Sequence, residues 1–467
     1  MRRRADLKTG TTCNSNCVFC VIGDQLFTGD RTTEACIAEL RESRRTCVDV
    51  VFTGAEVSIR PDFFHLVRAA KRLGYERIQI QTNGRIFVYR EFCERTIAAG
   101  ANEFAPAIHG HIAKLHDGLT RAPGSFAQIV TAIRHMVELG VRVISNTVIT
   151  KQNAKHMPAL AQMLVDLGVS QFQLAFPHPT GHAATHFTGV VPRMADVAAY
   201  VHEALDIGRR AGVLAMAEAM PYCMMAGHED QVGELHIPPT EIVYDGYVVP
   251  DYATDRMDRG KVRFAQCATC RFEPICEGPW KEYPARMGEA EFVPVVGARV
   301  VDPRVVLAGR LDMIGEAAPT EVGTAGWRAV CFVPAAGSPS CTAELCSLES
   351  AHDALARRGI AVYVVAPHDE ATMRAWAQRH GSRATVIADP ERTVASRWGA
   401  LQRTSFLVDP QDRVAHVLVD VDTTDHGAQL AHAYDLLHAQ ARPLGVAHDL
   451  VTLRRGTVPV AVATGPR

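Results

Sequence analysis

What the chain lacks narrows the choice first. No apolar run approaches the roughly 20 residues needed to cross a bilayer, and the basic start Met1-Arg2-Arg3-Arg4 runs into Asp6, Lys8 and Thr9 instead of an apolar signal core. A membrane or secreted protein is therefore not expected, and the expected setting is the cytoplasm. Neither sign of charge is in excess. With 49 Lys and Arg against 51 Asp and Glu, the formal net charge of -2 gives no overall field toward nucleic acid or an anionic lipid surface. Internal repeats are missing too, and 47% hydrophobic with 21% charged residues excludes a disordered or collagen-like chain. At 467 residues there is room for about three domains of roughly 150 residues.

Short β-branched runs alternate with helical patterns from residue 8 to about 211. Strands are expected near 7–12 and at 48–53, 77–82, 102–108, 141–149 and 170–176, with helices between them that end at Gly74, Gly100, Gly140 and Gly168. Six such βα units imply an α/β fold with a parallel sheet or partial barrel, its chemistry at the C-terminal ends of the strands. The rhythm breaks between 216 and 288, where a hairpin-like stretch at 241–250 precedes a cysteine group. A linker is expected at 289–325, rich in Gly, Pro and Ala, followed by a second α/β pattern from 326 to 443 and a tail at 444–467.

The thirteen cysteines are the informative class, because in a reducing compartment they hold metal or do chemistry more often than they form disulfides. Cys13, Cys17 and Cys20 have the spacing C-x3-C-x2-C directly after the first expected strand. Three thiolates can hold three irons of a [4Fe–4S] cube and leave the fourth open, whereas a structural zinc ion would want a fourth protein ligand. This stretch resembles the opening cysteine loop of the radical S-adenosylmethionine superfamily, and the resemblance covers roughly residues 7 to 288. It implies a partial (β/α)6 barrel and a [4Fe–4S] cluster with S-adenosyl-L-methionine, cleaved reductively to a 5′-deoxyadenosyl radical that takes hydrogen from substrate. Phe19 matches the family's aromatic near the adenine. Gly54-Ala55-Glu56 is similar to its Gly-Gly-Glu segment at the ligand's amino group, with Ala55 replacing the second Gly, and Asn146 falls where a ribose contact is common.

A second group, Cys267, Cys270 and Cys276, reads C-x2-C-x5-C, with Cys223 upstream across the hairpin. Four thiolates can close a cluster completely or hold a structural zinc ion. The pattern resembles the twitch or shortened SPASM extension of the same superfamily, which implies one auxiliary [4Fe–4S] cluster. Position 280, where a full SPASM domain would continue with cysteine, is Trp280.

The third motif is Pro334-Ala-Ala-Gly-Ser338-Pro-Ser-Cys341, between an apolar strand and a helix expected to begin at Thr342. A thiol at a helix N-terminus feels the positive end of the dipole and ionises more easily. The pattern resembles the peroxiredoxins, with Cys346 at the resolving position of the bacterioferritin-comigratory class and Arg403 matching the arginine that stabilises thiolate and peroxide. A thioredoxin fold and peroxide reduction by Cys341 and Cys346 are what this resemblance implies; a thioredoxin-like electron-donating dithiol is the alternative.

The expected protein is thus a radical S-adenosylmethionine enzyme fused to a thiol peroxidase. Its expected partners are an external donor of flavodoxin or ferredoxin type, a thiol reductant, and a small-molecule or peptide substrate. The short stretch before Cys13 favours small molecules or a separately delivered peptide. The competing expectation is a peroxidase or redox sensor whose N-terminal iron–sulfur domains are regulatory.

Overall fold

The computed structural model describes residues 2–440 apart from 27, 245–246, 324–325 and 401–402, so the tail expected at 444–467 lies outside the described residues. Seven parallel strands open the chain: β1 (Arg4–Lys8), β2 (Asp49–Thr53), β3 (Arg77–Thr82), β4 (Glu103–Pro106), β5 (Arg142–Val148), β6 (Gln171–Ala175) and β7 (Leu214–Glu218). A hairpin, β8 (Thr240–Tyr244) and β9 (Tyr247–Val249), completes one sheet in the order β7-β6-β5-β4-β3-β2-β1-β8-β9.

Two features depart from the expected barrel. The alternation runs one strand further, through β7, whose sequence Leu-Ala-Met-Ala-Glu lacks the β-branched residues that mark a strand. The hairpin does not stand apart with the cysteines that follow it, because β8 pairs parallel to β1 from Arg4 opposite Thr240 to Leu7 opposite Val243.

Alternation along the strands separates two faces. Ala5, Leu7, Val143, Phe172 and Leu174 pack in the core with side chains of the crossover helices, such as Leu66 and Val67 of the helix Phe63–Arg72. The opposite set, Asp6, Lys8, Asn146, Gln173 and Glu218, stays partly accessible on the concave face. This polar lining is the surface a bound ligand would meet.

The C-terminal unit is a thioredoxin fold. Its strands are β10 (Trp327–Phe332), β11 (Ile360–Ala366), β12 (Thr385–Ala388), β13 (Thr404–Val408) and β14 (Val414–Leu418), in the order β12-β11-β10-β13-β14. β11 runs parallel to β10 and β12, while β13 is antiparallel to β10 and β14. Leu345, Leu348, Leu430 and Ala433, from the helices Pro339–Ser350 and His426–His438, cover one face with Ala329, Cys331 and Leu407 beneath them. On the other face Val330, Phe332, Phe406 and Trp398 cluster with Val305, Ile314, Ala318 and Val322. Those last four come from the stretch read as a linker, which folds here onto the sheet and includes a helix, Pro303–Leu307, capped by Asp302. Its scattered Gly and Pro break helical periodicity, so its apolar residues carry no regular pattern in the sequence.

Ile314→Ala should lower the stability of the C-terminal unit by about 2–3 kcal/mol, the usual loss for emptying a buried isoleucine site. A urea titration followed by tryptophan fluorescence measures this; an unchanged midpoint would mean that the stretch tethers without packing.

Candidate functional site

After β1 the chain leaves the sheet and makes the cysteine loop, which has little regular structure of its own and is held by neighbouring strand ends. Thr9 donates both its amide and its hydroxyl to the carbonyl of Thr53 at 2.9 Å, and Asp30 accepts the amides of Thr11 and Thr12 at 3.1 and 3.0 Å. From the end of β2, Ala55 donates to the carbonyl of Gly10 and Glu56 to that of Thr12, both at 3.0 Å. Asn16 and Val18 donate to the carbonyls of Thr120 and Leu119. Beyond β6, His182 donates its amide to the carbonyl of Cys20 at 2.9 Å, and its Nδ1 lies 3.0 Å from that of Cys17.

Two glycines make this approach possible. Gly54 sits at φ 122°, and a Cβ there would lie 2.7 Å from the Gly10 carbonyl oxygen; Gly181, at φ 52°, would put one 2.5 Å from that of Cys20. Sequence reasoning picked out Gly54 and passed over Gly181.

Cys13, Cys17 and Cys20 are free and partly exposed. Burial pushes the Cys13 thiol up to about 11, with Glu56 and Cys20 adding to it, and pushes Cys17 up to about 12, with Cys13 and Cys20 adding. Left to themselves these thiols keep their protons; a bound cation would reverse the balance. Among the described residues no three His, Cys, Asp or Glu side chains stand at the spacing of a single metal ion. A four-iron cube asks for a different spacing, with each thiolate on its own iron.

Glu56 is buried, and desolvation raises its pKa against the pull of its hydrogen bonds. Oε1 accepts from the Ser58 amide and hydroxyl and from Thr82 Oγ1 at 2.7 Å, while Oε2 accepts only the Asn83 amide, at 2.6 Å. Carboxylate oxygens each have two lone-pair sites, so Oε2 keeps room for one further donor. Phe19 is buried and packs edge-on against His109 at 4.6 Å between centroids. Asn146, on β5, carries a buried Oδ1 with no hydrogen-bond partner among the described residues. A buried acceptor left unpaired costs free energy until something donates to it.

Cys223, before the hairpin, and Cys267, Cys270 and Cys276, after it, line one cavity with Tyr222 and Phe264. Burial raises the Cys223 thiol, with Cys276, Cys270 and Cys267 adding to the shift, and pushes Cys276 up to about 11. Trp280 stacks on His178 at 3.9 Å and carries Lys261 Nζ 4.1 Å from its ring centroid. Glu218 at the end of β7, Lys261 with Glu234 at 3.5 Å, and Arg256 with Glu277 at 2.6 Å make a charged layer that sequence reasoning missed, since no local spacing links them.

In the C-terminal unit the helix expected from Thr342 begins earlier, at Pro339, because Ser338 caps it and proline suits its first turn. Cys341 therefore lies inside the first turn, not before it, and its amide donates to Ser338 Oγ at 3.3 Å. Arg403 places Nη2 3.3 Å from Cys341 Sγ and Nε 2.7 Å from Glu344. Cys341 is 1% exposed, whereas Cys346 faces solvent. Five residues turn the helix by about 140° net, so the two thiols sit on different faces.

The structure thus holds two cysteine sites, a loop of three thiols beyond the ends of the parallel strands and an arginine-paired thiol in a thioredoxin fold. Residues 7–164 match the Radical SAM superfamily and residues 317–417 the AhpC/TSA family, so the chain carries both a radical SAM domain and an AhpC/TSA domain. It is 29% identical over 135 residues to an AdoMet-dependent heme synthase of Oleidesulfovibrio alaskensis, covering 29% of this chain and 34% of that protein. It is 27% identical over 177 residues to a probable GTP 3',8-cyclase of Saccharolobus solfataricus, covering 36% and 55%. The chain thus spans a third to about half the length of these curated relatives. Among solved structures, Streptococcus suis SuiB bound to S-adenosylmethionine aligns over 63% of this chain and 76% of its own, at 14% identity and a TM-score of 0.48.

Gly54→Ala should cost at least about 2 kcal/mol through strain at a positive φ and collision with Gly10. The cysteine loop should loosen with it, so thiol labelling of Cys13 and Cys17 in the metal-free protein should quicken; wild-type labelling rates would refute the pinning described above.

Proposed function

We propose that residues 1–215 form the core of a radical S-adenosylmethionine enzyme acting on a small-molecule or peptide substrate. The observation that carries this reading is the pinned loop, which presents three coupled thiols beside the polar concave face. Cys13, Cys17 and Cys20 would hold a [4Fe–4S] cluster. Gly54, Ala55 and Glu56 would receive the ligand's amino group, with Glu56 Oε2 as acceptor, while Phe19 would flank the adenine and Asn146 Oδ1 would take a ribose hydroxyl. When bound, cluster and ligand supply a 5′-deoxyadenosyl radical for hydrogen abstraction. The chain's own part is to fix the ligand's two ends, keep water from the concave face and hold the substrate bond close. No helix is long and apolar enough to cross a membrane among the described residues.

Residues 216–288 we read as the holder of one auxiliary [4Fe–4S] cluster on Cys223, Cys267, Cys270 and Cys276, and residues 326–443 as a thiol peroxidase. There Cys341 thiolate attacks the peroxide O–O bond, becoming a sulfenic acid as the alcohol or water leaves. Cys346 thiol then displaces water to give a disulfide, which an external thiol reductant reduces. Ser338 and Arg403 hold Cys341 for that attack. An electron donor of flavodoxin or ferredoxin type would serve the first cluster.

Anaerobic reconstitution should give about eight irons per chain, from two cubes. The triple variant Cys13→Ala, Cys17→Ala, Cys20→Ala should lose about half the iron and all 5′-deoxyadenosine formation, and continued cleavage would sink the assignment. Because the Cys13 and Cys17 thiols are raised and must shed protons to bind, loading at limiting iron and sulfide should improve from pH 7 to 9; loading independent of pH would contradict this.

After one equivalent of hydrogen peroxide, mass spectrometry should find a Cys341–Cys346 disulfide in the wild type and a sulfenic acid at Cys341 in Cys346→Ala. Cys341→Ala consuming peroxide at the wild-type rate would end the peroxidase reading.

A further inference from the structure

Behind Cys341 lies a chain of buried charged groups that the peroxide chemistry above does not use. Glu344 and His426 are both fully buried, and His426 Nδ1 stands 3.1 Å from Glu344 Oε1. Neither atom finds a hydrogen-bond partner of good geometry among the described residues, so the contact is one of charge. The other carboxylate oxygen of Glu344 accepts from Arg403 Nε at 2.7 Å, and the guanidinium continues to Cys341 Sγ at 3.3 Å. On its far side His426 Nε2 lies 4.0 Å from Cys331 Sγ, on β10.

We propose that His426 is a positioning residue for Cys341: as an imidazolium locked between Glu344 and Cys331, it shares Glu344 with Arg403 and so leaves a net positive charge beside the Cys341 thiolate. The charges decide it. Arg403 and Glu344 alone form a neutral pair; with His426 charged, two cations share one carboxylate and these three side chains carry +1, which adds to the effect of the guanidinium on Cys341 as long as Cys331 keeps its proton. His426 opens the helix His426–His438, where the dipole opposes a cation, so the proton must be held by what faces it. Those groups are Glu344 from the helix Pro339–Ser350 and Cys331 from β10, with Asp425 exposed one residue before it on its own segment. Burial would strip the proton, yet Cys331 and Glu344 outweigh it and push the imidazole up from 6.5 to about 9. A group raised in this way stabilises the fold fully below pH 6.5 and loses that contribution as pH climbs through 9.

The role of Cys341 in peroxide reduction rests on the function proposed above, but the test does not need it. In the full chain, kept reduced, iodoacetamide labelling of Cys341 is followed by peptide mass spectrometry from pH 5 to 10. His426→Asn keeps a donor toward Glu344 and removes the charge. It should raise the pH of half-maximal labelling by about one unit, which is about a tenfold slower reaction at pH 7. A midpoint within about 0.2 unit of wild type would overturn the proposal, since a purely structural His426 would leave the titration in place. Should His426→Asn fail to fold, 13C-labelled histidine in the wild type decides by NMR: an imidazolium at pH 7.5 supports the proposal and a neutral ring refutes it. If the labelling midpoint moves while wild-type protein consumes no peroxide, the peroxidase reading fails and the charge relay stands.

Discussion

The cysteine loop depends on backbone hydrogen bonds that it makes with other segments, and the rest of the radical domain is arranged around that dependence. Three thiols within eight residues, with Cys13 and Cys17 raised by burial and by their neighbours, would scatter in a free loop. Here the carbonyls of Gly10, Thr12, Cys17 and Cys20 are each claimed by a group at the end of β2 or beyond β6. Parallel strands make this possible, because their C-terminal ends converge on one rim and every following turn can reach the same loop. Left-handed glycines at 54 and 181 let the backbones close to hydrogen-bonding distance where any side chain would collide.

The C-terminal unit solves a related problem with side chains in place of backbone. Its thiol is shielded from water in the first turn of a helix, with a guanidinium held by Glu344 at 3.3 Å from the sulfur. The cavity that Arg403 lines is bordered by Phe332, Val365, Ala366 and Ala400 and also by Asp389 and Arg392, so apolar and charged groups share its wall.

The three candidate cysteine motifs were legible in the sequence because each is local. C-x3-C-x2-C, C-x2-C-x5-C and the serine–cysteine spacing ahead of a helix each compress a centre into a few residues. The supports were not legible, and the reason is separation along the chain. Asp30 reaches the loop amides from 18 residues away, His182 touches the Cys17 carbonyl from 165, and His426 faces a carboxylate more than 80 positions earlier. No periodicity links such pairs. The strand β7 escaped notice for another reason: its alanines and one methionine carry little strand preference of their own and are buried only by the tertiary fold. The helix carrying Cys341 was placed three residues late because apolar periodicity starts after its cap, whereas the cap itself, Ser338 with Pro339, marks the true beginning.

The pairing of β8 with β1 has a consequence for how the chain is made. β1 is synthesised well before its second neighbour, which arrives only with residue 240. At ribosomal rates of about 5–20 residues per second, some 10–50 s pass with the leading strand open along one edge. An unpaired parallel strand is a template for any passing segment, and the nearest available one is the same strand of another nascent copy. The three arginines at positions 2 to 4 stand at the start of that strand, where like charges repel a second copy in register. Cutting the chain after β7 would make the exposure permanent, so the hairpin is the guard of the barrel's first edge as much as the doorway to the second cysteine group.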